Sequence, residues 1–246
     1  MKIMIRIVRF LLMVLAASQF LPAQARNLSR EIRRDSDERD LYIRIFEAAA
    51  DNDLENLKIH FQKRPNPNAI RHTLLNADKK PTFTIVMARG RALNNFPVVQ
   101  GNTLLSYAVT RRNREMAQYL LSQGADPQLV TDHTFNGIAS VSSPFMIAAD
   151  MNDVEMLRLL LPKVRDINHH AAPYTGRIAV TPLHVALGIR TAVTGNIQPK
   201  HEAAMFLAAN GARCNFEAHR DTVLNLLTYA IDKGESEVAQ TLLRKG

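Results

Sequence analysis

Histidines clustered in one loop are the side chains of this 246-residue chain whose type most suggests metal chemistry. His169 and His170 are adjacent, and Tyr174 and His201 follow them. Imidazole is a common zinc ligand, but adjacent histidines lack the i, i+4 spacing that puts two ligands on one helix face, and no cysteine or carboxylate has a matching spacing. We keep a metal-dependent enzyme or factor as the alternative function, and we expect no bound metal and no cofactor.

Motifs for other kinds of catalysis are missing from the sequence. The glycines are isolated and form neither G-x-G-x-x-G nor a P-loop. Ser142 and Ser143 belong to the start of a helix rather than to a nucleophile elbow. Cys214 is the single cysteine, which excludes a disulfide within the chain and predicts a packed thiol. We therefore predict that the protein is not an enzyme and has no catalytic residues.

Basic and aromatic side chains in neighbouring loops are the better candidates for a functional site, joined by Tyr107, Arg111 and Arg112 on the exposed edge of one predicted repeat helix. Arginine and tyrosine are enriched where binding energy concentrates in protein interfaces. For any single residue, solvation of a loop is the simpler explanation, but as a group they favour a binding surface. The candidate partner-binding residues are Arg89, Arg91, Tyr107, Arg111, Arg112, Phe135, His170, Tyr174 and Arg177.

A repeated pattern positions these loops. Thr181–Ala186 reads Thr-Pro-Leu-His-Val-Ala, which resembles the turn that opens the first helix of an ankyrin repeat. The segment from Gly101 to Pro127 fills the same slots of that unit, and further copies include Ser143 and Asn225. The resemblance implies an all-α ankyrin-repeat solenoid of about five helix-pair repeats with loop insertions, at about residues 41–70, 101–129, 141–169, 179–215 and 222–246, the first of them a degraded amino-terminal cap.

The ends of the helices have predicted local structures. Gly124 and Gly211 stand where a repeat's second helix ends in a left-handed conformation, which glycine adopts most cheaply. Arg64 and Val164 occupy that slot in other copies, so we predict different turns there. His184 is part of the repeat signature, and we predict that it bonds to nearby backbone rather than to a ligand.

The insertion at residues 71–100 is the longest departure from the repeat. Glu55 and Glu115 occupy the same slot 60 residues apart, whereas a repeat spans about 33 residues. The alternation in Thr82–Met87 predicts a strand or hairpin. Loops longer than ~15 residues in compact domains are usually functional or disordered, so a role is expected here.

The first 25 residues resemble a bacterial-type secretory signal peptide, with Lys2, Arg6 and Arg9 before an apolar run and Ala-Gln-Ala at the end. We predict cleavage after Ala25, a charged lead-in at residues 26–40, a repeat domain at residues 41–246, and an exported protein that is periplasmic or secreted. A retained membrane anchor is the alternative.

Charge and fold class together indicate the kind of partner. The formal net charge is +8, and residues 71–100 carry five of the basic residues against one acidic residue. Export argues against nucleic acid and favours a protein with an acidic surface, anionic lipid or polysaccharide. The resemblance implies an adaptor or scaffold that binds a protein through its concave face and inter-repeat loops. The final repeat either keeps Val238 and Leu242 inward or is a surface for self-association.

Overall fold

The computed structural model describes residues 37–75, 81–87, 101–135, 138–171, 180–189, 199–213, 215–217 and 223–245. The chain divides into two compact units, residues 1–44 and 45–246. In the first unit the described residues, 37–44, are helical. The second unit contains the elements that position the candidate site.

Helices follow one another in pairs along the chain. In four of the five pairs a three-residue turn joins the two helices, whereas residues 187–200, of which 190–198 lie outside the described residues, separate α7 from α8. Longer segments also join one pair to the next. The helices of the described residues are α1 (37–50), α2 (Leu54–Phe61), α3 (Leu104–Thr110), α4 (Arg114–Ser122), α5 (Pro144–Asp150), α6 (Val154–Leu160), α7 (Pro182–Ala186), α8 (His201–Ala209), α9 (Leu226–Asp232) and α10 (Ser236–Lys245).

Side-chain caps explain where many of these helices begin. Thr103 caps α3, since its hydroxyl accepts the backbone N–H of Ser106 at 3.0 Å. Asn113 caps α4 in the same way, with its side-chain oxygen 2.9 Å from the nitrogen of Met116. Such caps satisfy backbone donors that the first turn of a helix leaves without a partner. The same local chemistry therefore starts both helices of a pair.

Left-handed residues end the first helix of each pair. Asn52, Arg112 and Asn152 have φ of 62°, 55° and 53°, and Gly188 and Gly234 take the same conformation in the later pairs. Around Asn52, Arg112, Asn152 and Gly234 the turn takes three residues, so that the second helix follows at once. Gly188 ends α7 in the same conformation, but α8 begins only at His201, so four of the five pairs share the short turn.

The turn that follows the second helix of a pair agrees with the predictions at three positions and differs from the prediction at Arg64. Gly124 and Gly211 have φ of 91° and 95°, as predicted. Arg64 also has a positive φ, 53°, so the prediction of a different turn there was wrong. The prediction for Val164 is confirmed, because its φ is −81° and a 3-10 helix, Leu161–Lys163, prolongs the end of α6.

Short antiparallel strands lie between the helix pairs. β1 (Ala69–Leu75) pairs with β2 (Pro81–Met87) and with β3 (Asn102–Thr103), in the order β2-β1-β3. Two further hairpins are formed by β4 (Thr131–Phe135) with β5 (Ile138–Ser142), and by β6 (Asn215–Glu217) with β7 (Val223–Asn225).

These strands correct the expected fold class. The chain is mostly helical rather than all-α, because segments inserted between helix pairs satisfy their backbone groups by pairing with themselves. The prediction of a strand or hairpin at Thr82–Met87 is confirmed, with Thr84 opposite His72 in the β1–β2 register.

The core lies between the helices of each pair and between successive pairs. First helices α3, α5 and α7 pack in sequence, as do second helices α4, α6, α8 and α10. Leu105, Phe145 and Leu183 occupy one position of three successive pairs and are all buried. Burying one such side chain contributes about 1.5–3 kcal/mol. Each pair thus completes its core with the next pair.

Amide side chains tie successive pairs together at their outer ends. The side-chain oxygen of Asn68 accepts the backbone N–H of Asp126 at 2.7 Å, and its NH₂ donates to the carbonyl of Gly124 at 3.1 Å. Asn168 makes the equivalent bonds to Arg213 at 2.8 Å and to Gly211 at 3.4 Å.

Between these two ties, Gln128 has the equivalent position. Its carbonyl oxygen accepts the N–H of Arg165 at 2.6 Å, and its NH₂ donates to the carbonyl of Asp166 at 2.7 Å. Three consecutive junctions are therefore held by one kind of contact, which keeps the register between pairs constant.

Candidate functional site

The nine candidate partner-binding residues fall into three groups in the structure. Tyr107, Arg111, Arg112 and His170 are described with their side chains. Phe135 ends β4 opposite Ile138, and only its backbone is described. The remaining four lie outside the described residues: Arg89, Arg91, Tyr174 and Arg177.

Tyr107 lies on one side of α3, and each later first helix has a residue at the equivalent position. Its half-buried ring meets the ring of Phe46 edge-on, with centroids 6.1 Å apart and an interplanar angle of 65°. Edge-on aromatic pairs contribute about 0.5–1.5 kcal/mol beyond their buried area. Tyr107 is therefore partly structural, and its exposed part is what remains for a partner.

The same side of the next two first helices is covered. Val185, at the Tyr107 position of α7, is buried in one apolar cluster with Met146, Ala171 and Val180. Ala171 and Val180 form an isolated antiparallel bridge, with backbone nitrogen-to-oxygen distances of 2.9 and 3.0 Å. Ala171 and Val180, the described residues at the two ends of this connection, thus pack against the same helix face as Val185.

Arg111 and Arg112 are neighbours with different roles. The guanidinium of Arg112 donates to the carbonyl of Met151 at 2.9 Å, which connects the turn after α3 to the turn after α5. Arg111 is exposed at the C-cap of α3 and makes no side-chain hydrogen bond or ion pair within the described part of the chain. A cation is favourable at this helix end. Arg111 is consequently the better candidate for contact with a partner.

His169 is engaged in a structural contact. Its Nε2 is 2.8 Å from Oγ of Ser143, and its Nδ1 is 3.0 Å from the carbonyl of Asp166. Burial lowers the pKa of His169 to about 4, so the ring is neutral at pH 7. A neutral ring that donates from Nδ1 to the carbonyl accepts the Ser143 hydroxyl at Nε2. His170, which the sequence predicts to bind a partner, is exposed beside it.

The Ser143–His169 pair has the composition of a nucleophile and its base, but its position is unsuited to that chemistry. Ser143 is fully buried, and its Oγ also accepts the N–H of Met146 as the cap of α5. A substrate carbonyl cannot reach an oxygen in that place. The pair links the start of α5 to the loop before the next repeat.

His184 is buried inside the capping structure of α7. Its Nδ1 accepts the backbone N–H of Thr181 at 3.2 Å and is 2.8 Å from the Thr181 hydroxyl oxygen. The prediction of a bond to nearby backbone is confirmed. Burial lowers the pKa of His184 to about 4, so this histidine, too, is neutral at pH 7.

His201 belongs to a separate charged cluster between α8 and α10. Its Nδ1 lies 2.6 Å from a carboxylate oxygen of Glu235, and its Nε2 lies 3.5 Å from one of Glu237. The hydrogen bond to Glu235 raises the pKa of His201, with burial opposing. Across the residues that the structure describes, no three His, Cys, Asp or Glu side chains are arranged to hold a metal ion.

The ties between helix pairs were missed by reasoning from the sequence. Asn68, Gln128 and Asn168 occupy one slot, two residues after Asn66, Asp126 and Asp166. An amide that recurs at a fixed place beside each repeat end is the signal that would have found them. In the described part of the chain, no helix is both long and apolar enough to cross a membrane.

Comparison with known proteins places the middle of this arrangement in a family. Residues 100–132, which include α3, α4 and the following turn, match the family model of the ankyrin repeat. The predicted resemblance is confirmed there. No curated protein matches the chain. Ankyrin repeats are typical of protein–protein interaction modules, and this is the function class that the match supports.

Proposed function

We propose that this chain is an adaptor or scaffold in which about five helix-pair repeats form a solenoid that binds a protein partner. The repeats are those predicted at about residues 41–70, 101–129, 141–169, 179–215 and 222–246. The matched repeat at residues 100–132 is the second of them. Since fold alone does not fix function, the proposal needs an argument from the surface.

The observation that carries the proposal is a constant frame with variable connections. Left-handed turns, caps and amide ties recur from pair to pair, whereas the segments between pairs, and the one between α7 and α8, differ greatly in length. Insertions in repeat proteins map to loops on one face, which is often the binding face. A rigid frame that holds dissimilar loops side by side is suited to recognising one macromolecular surface.

Within that face, the described contacts separate candidates that are accessible to a partner from one that holds the helix pairs together. Tyr107 and Arg111 remain candidates, because Tyr107 is half-buried and Arg111 is exposed. Arg112 is assigned to the frame, since it bonds to Met151. The concave face and the loops that bear Arg89, Arg91, Tyr174 and Arg177 complete the proposed surface.

A metal-dependent factor is not proposed. Its best ligand, His169, already has both ring nitrogens within hydrogen-bonding distance of Ser143 and Asp166. Coordination would break these contacts and expose a cap of α5. Stoichiometric metal in the purified protein that is lost in His169→Ala and His170→Ala would revive this alternative.

Export is the second part of the proposal. Residues 1–25 would be removed as a signal peptide, leaving a mature protein that begins at Arg26 in the periplasm or outside the cell. Intact-mass measurement of the protein recovered from the producing cell tests this. A mass that includes residues 1–25 would support the retained membrane anchor instead.

Partner capture tests the binding function. The mature chain, residues 26–246, is used as bait on extracytoplasmic and host-cell extracts, beside the double variant Tyr107→Ala, Arg111→Glu. Lys163→Glu is the matched control, since Lys163 is exposed on the 3-10 helix and its replacement makes the same change in charge as Arg111→Glu. We expect the wild type and the control to capture the same partner, and we expect the double variant to fail to capture it.

A second bait with Arg89, Arg91, Tyr174 and Arg177 replaced by Ala tests the loops separately. Loss with this bait alone would place the partner on the loops rather than on α3. Equal capture by all baits would refute the proposed surface, and capture of nothing by the wild type would count against an adaptor.

A further inference from the structure

The second helices α2, α4, α6 and α8 end along one continuous strip of surface. We call this strip the basic ridge, and its four segments are residues 62–68, 122–128, 163–168 and 209–213. Each segment is joined to the next by the amide tie of Asn68, Gln128 or Asn168. Packed helices lie about 8–10 Å apart, so the three steps between segments span about 24–30 Å. The ridge is therefore long enough to meet an extended surface.

Exposed side chains give the basic ridge an excess of positive charge. Its five basic residues are all exposed: Lys63, Arg64, Lys163, Arg165 and Arg213. Its two acidic residues, Asp126 and Asp166, each accept the backbone N–H of the residue two positions later, at 2.8 and 2.9 Å. Asp126 also lies 2.8 Å from the guanidinium of Arg165. Both carboxylates thus belong to the frame, while the cations outnumber them at the surface.

The helix ends alone do not account for these cations. A helix C-terminus favours a cation, but this effect falls off within the last turn. Arg64, Arg165 and Arg213 lie past the last residues of α2, α6 and α8. A guanidinium stays charged at any physiological pH. These exposed charges are therefore available to an anionic partner.

The side chains of the ridge favour a membrane over other anionic partners. Protein interfaces concentrate their binding energy in aromatic and other large anchors, and among these four fully described segments no exposed residue is aromatic or large and apolar. A linear polyanion suits an unbroken row of cations, whereas residues 122–128 contain no basic residue and contribute Asp126. An anionic bilayer attracts each cation near its surface, and its headgroups move laterally, so spaced cations need no fixed register.

We propose that the basic ridge binds the anionic headgroups of a phospholipid membrane, with the protein lying on the bilayer surface. Each lysine or arginine near such a surface strengthens binding about fivefold. Arg111 lies at the turn before α4, whereas the ridge lies where α4 ends, nine residues further on, which is about 14 Å. The surface proposed for a protein partner therefore stays accessible, and membrane binding is a further function beside it.

Vesicle binding tests this proposal. The mature chain, residues 26–246, is mixed with vesicles of equal parts phosphatidylglycerol and phosphatidylcholine, and separately with vesicles of phosphatidylcholine alone. Sedimentation measures the bound fraction over a range of lipid concentrations. We expect binding to the anionic vesicles only, and we expect added salt to release the protein because salt screens exposed charges.

Matched variants locate the membrane on the ridge. The ridge variant Lys63→Gln, Lys163→Gln removes two positive charges from the ridge. The control Lys200→Gln, Lys233→Gln removes two at the starts of α8 and α10, farther from the ridge than the Debye length of about 10 Å at 0.1 M salt. We expect the ridge variant to bind anionic vesicles about tenfold more weakly or worse, and the control to stay within about twofold of the wild type. Circular dichroism shows whether each variant is folded.

Amine labelling of the wild type locates the membrane without any variant. Light acetylation by a water-soluble reagent is followed at each lysine by mass spectrometry, with and without anionic vesicles. We expect the vesicles to slow the labelling of Lys63 and Lys163, because a bound bilayer covers them. Labelling of Lys200 and Lys233 should be unchanged.

Several outcomes would overturn the inference. These are no binding to anionic vesicles, equal binding by the wild type and a folded ridge variant, or equal effects of vesicles on the labelling of all four lysines. Binding of the ridge to dextran sulfate but not to vesicles would replace the membrane by a linear polyanion. Partner capture is measured without vesicles, so failure of the membrane proposal leaves the adaptor function standing, and the reverse also holds.

Discussion

Burial determines how the histidines of this chain respond to pH. His184 is fully buried within the capping structure of α7, and burial lowers its pKa to about 4. His169 is shifted in the same direction but keeps part of its surface exposed. His201 is shifted the opposite way by Glu235, yet its side chain is 45 % exposed, so we expect screening to keep its contribution below about 1 kcal/mol.

Acid should therefore destabilise the protein through His184. Its pKa is lower in the folded state than the ordinary 6.5, so between these values the unfolded chain binds more protons. The stability is fully present above pH 6.5 and falls as the pH decreases towards 4. At about 1.4 kcal/mol per pKa unit, we expect a loss that approaches about 3 kcal/mol from this residue.

Denaturant unfolding at pH 7, 6, 5 and 4 measures this loss. His184→Gln should be less stable than the wild type at pH 7 but should show a shallower dependence on pH. His60→Gln is the control, since it removes a histidine from α2 and leaves the capping structure of α7 intact. Equal slopes for the wild type and His184→Gln would show that His184 does not carry the effect.

At the scale of elements, left-handed residues fix where helices end. Gly124 has φ of 91°, and a Cβ added there would meet no atom within 4 Å. Gly124→Ala should therefore destabilise the protein through backbone strain rather than through a steric clash. We expect the free energy of unfolding to fall by about 1 kcal/mol. Arg64 holds the equivalent place at φ of 53°, so Arg64→Gly should stabilise the protein by up to about 1 kcal/mol.

Gly124→Ala and Arg64→Gly are expected to change the free energy of unfolding in opposite directions, so each variant serves as a control for the other. Chemical denaturation of each variant beside the wild type gives the two free energies of unfolding. A loss of stability in Arg64→Gly would mean that its side chain matters more than its backbone conformation.

The helix pairs were predictable from the sequence, but their connections were only partly so. Caps such as Thr103 act over three residues, so local sequence contains the whole cause. The tie of Asn68 to Asp126 spans 58 residues, and only the fold brings the two together. The turn at Arg64 was also hard to predict from the sequence, because packing of the repeat imposes a left-handed conformation that arginine does not favour. At the candidate surface, exposure of Arg111 and engagement of Arg112 depend on three-dimensional contacts that adjacency in sequence cannot separate.

In the molecule as a whole, Val238 and Leu242 point inward and are buried, as the first of the two alternatives predicted. Self-association stays a prediction that rests on two other apolar side chains. Ile231 and Leu243 are 59 % and 65 % exposed. Val109 and Leu187 hold the position of Ile231 in earlier pairs, and both are fully buried. The α9–α10 pair therefore exposes an apolar position that is buried in the earlier pairs, and we expect a second copy of the chain to cover it.

The variant Ile231→Lys, Leu243→Lys tests this expectation. Both side chains are exposed, so the fold should be retained, while the dissociation constant of a dimer should rise about tenfold or more because charges replace the apolar contact. Light scattering over a range of concentrations measures it, with Gln240→Lys as the control on the exposed side of α10. A wild type that stays monomeric throughout would refute self-association.

We propose that a constant repeat frame presents one face of loops and first helices to a protein partner. Hydrogen exchange of the mature chain with and without its captured partner measures that face most directly, because bound backbone amides become protected. We predict protection in the connections between pairs and around Tyr107 and Arg111. Protection confined to the second helices α2, α4, α6 and α8, with those connections unchanged, would contradict the account.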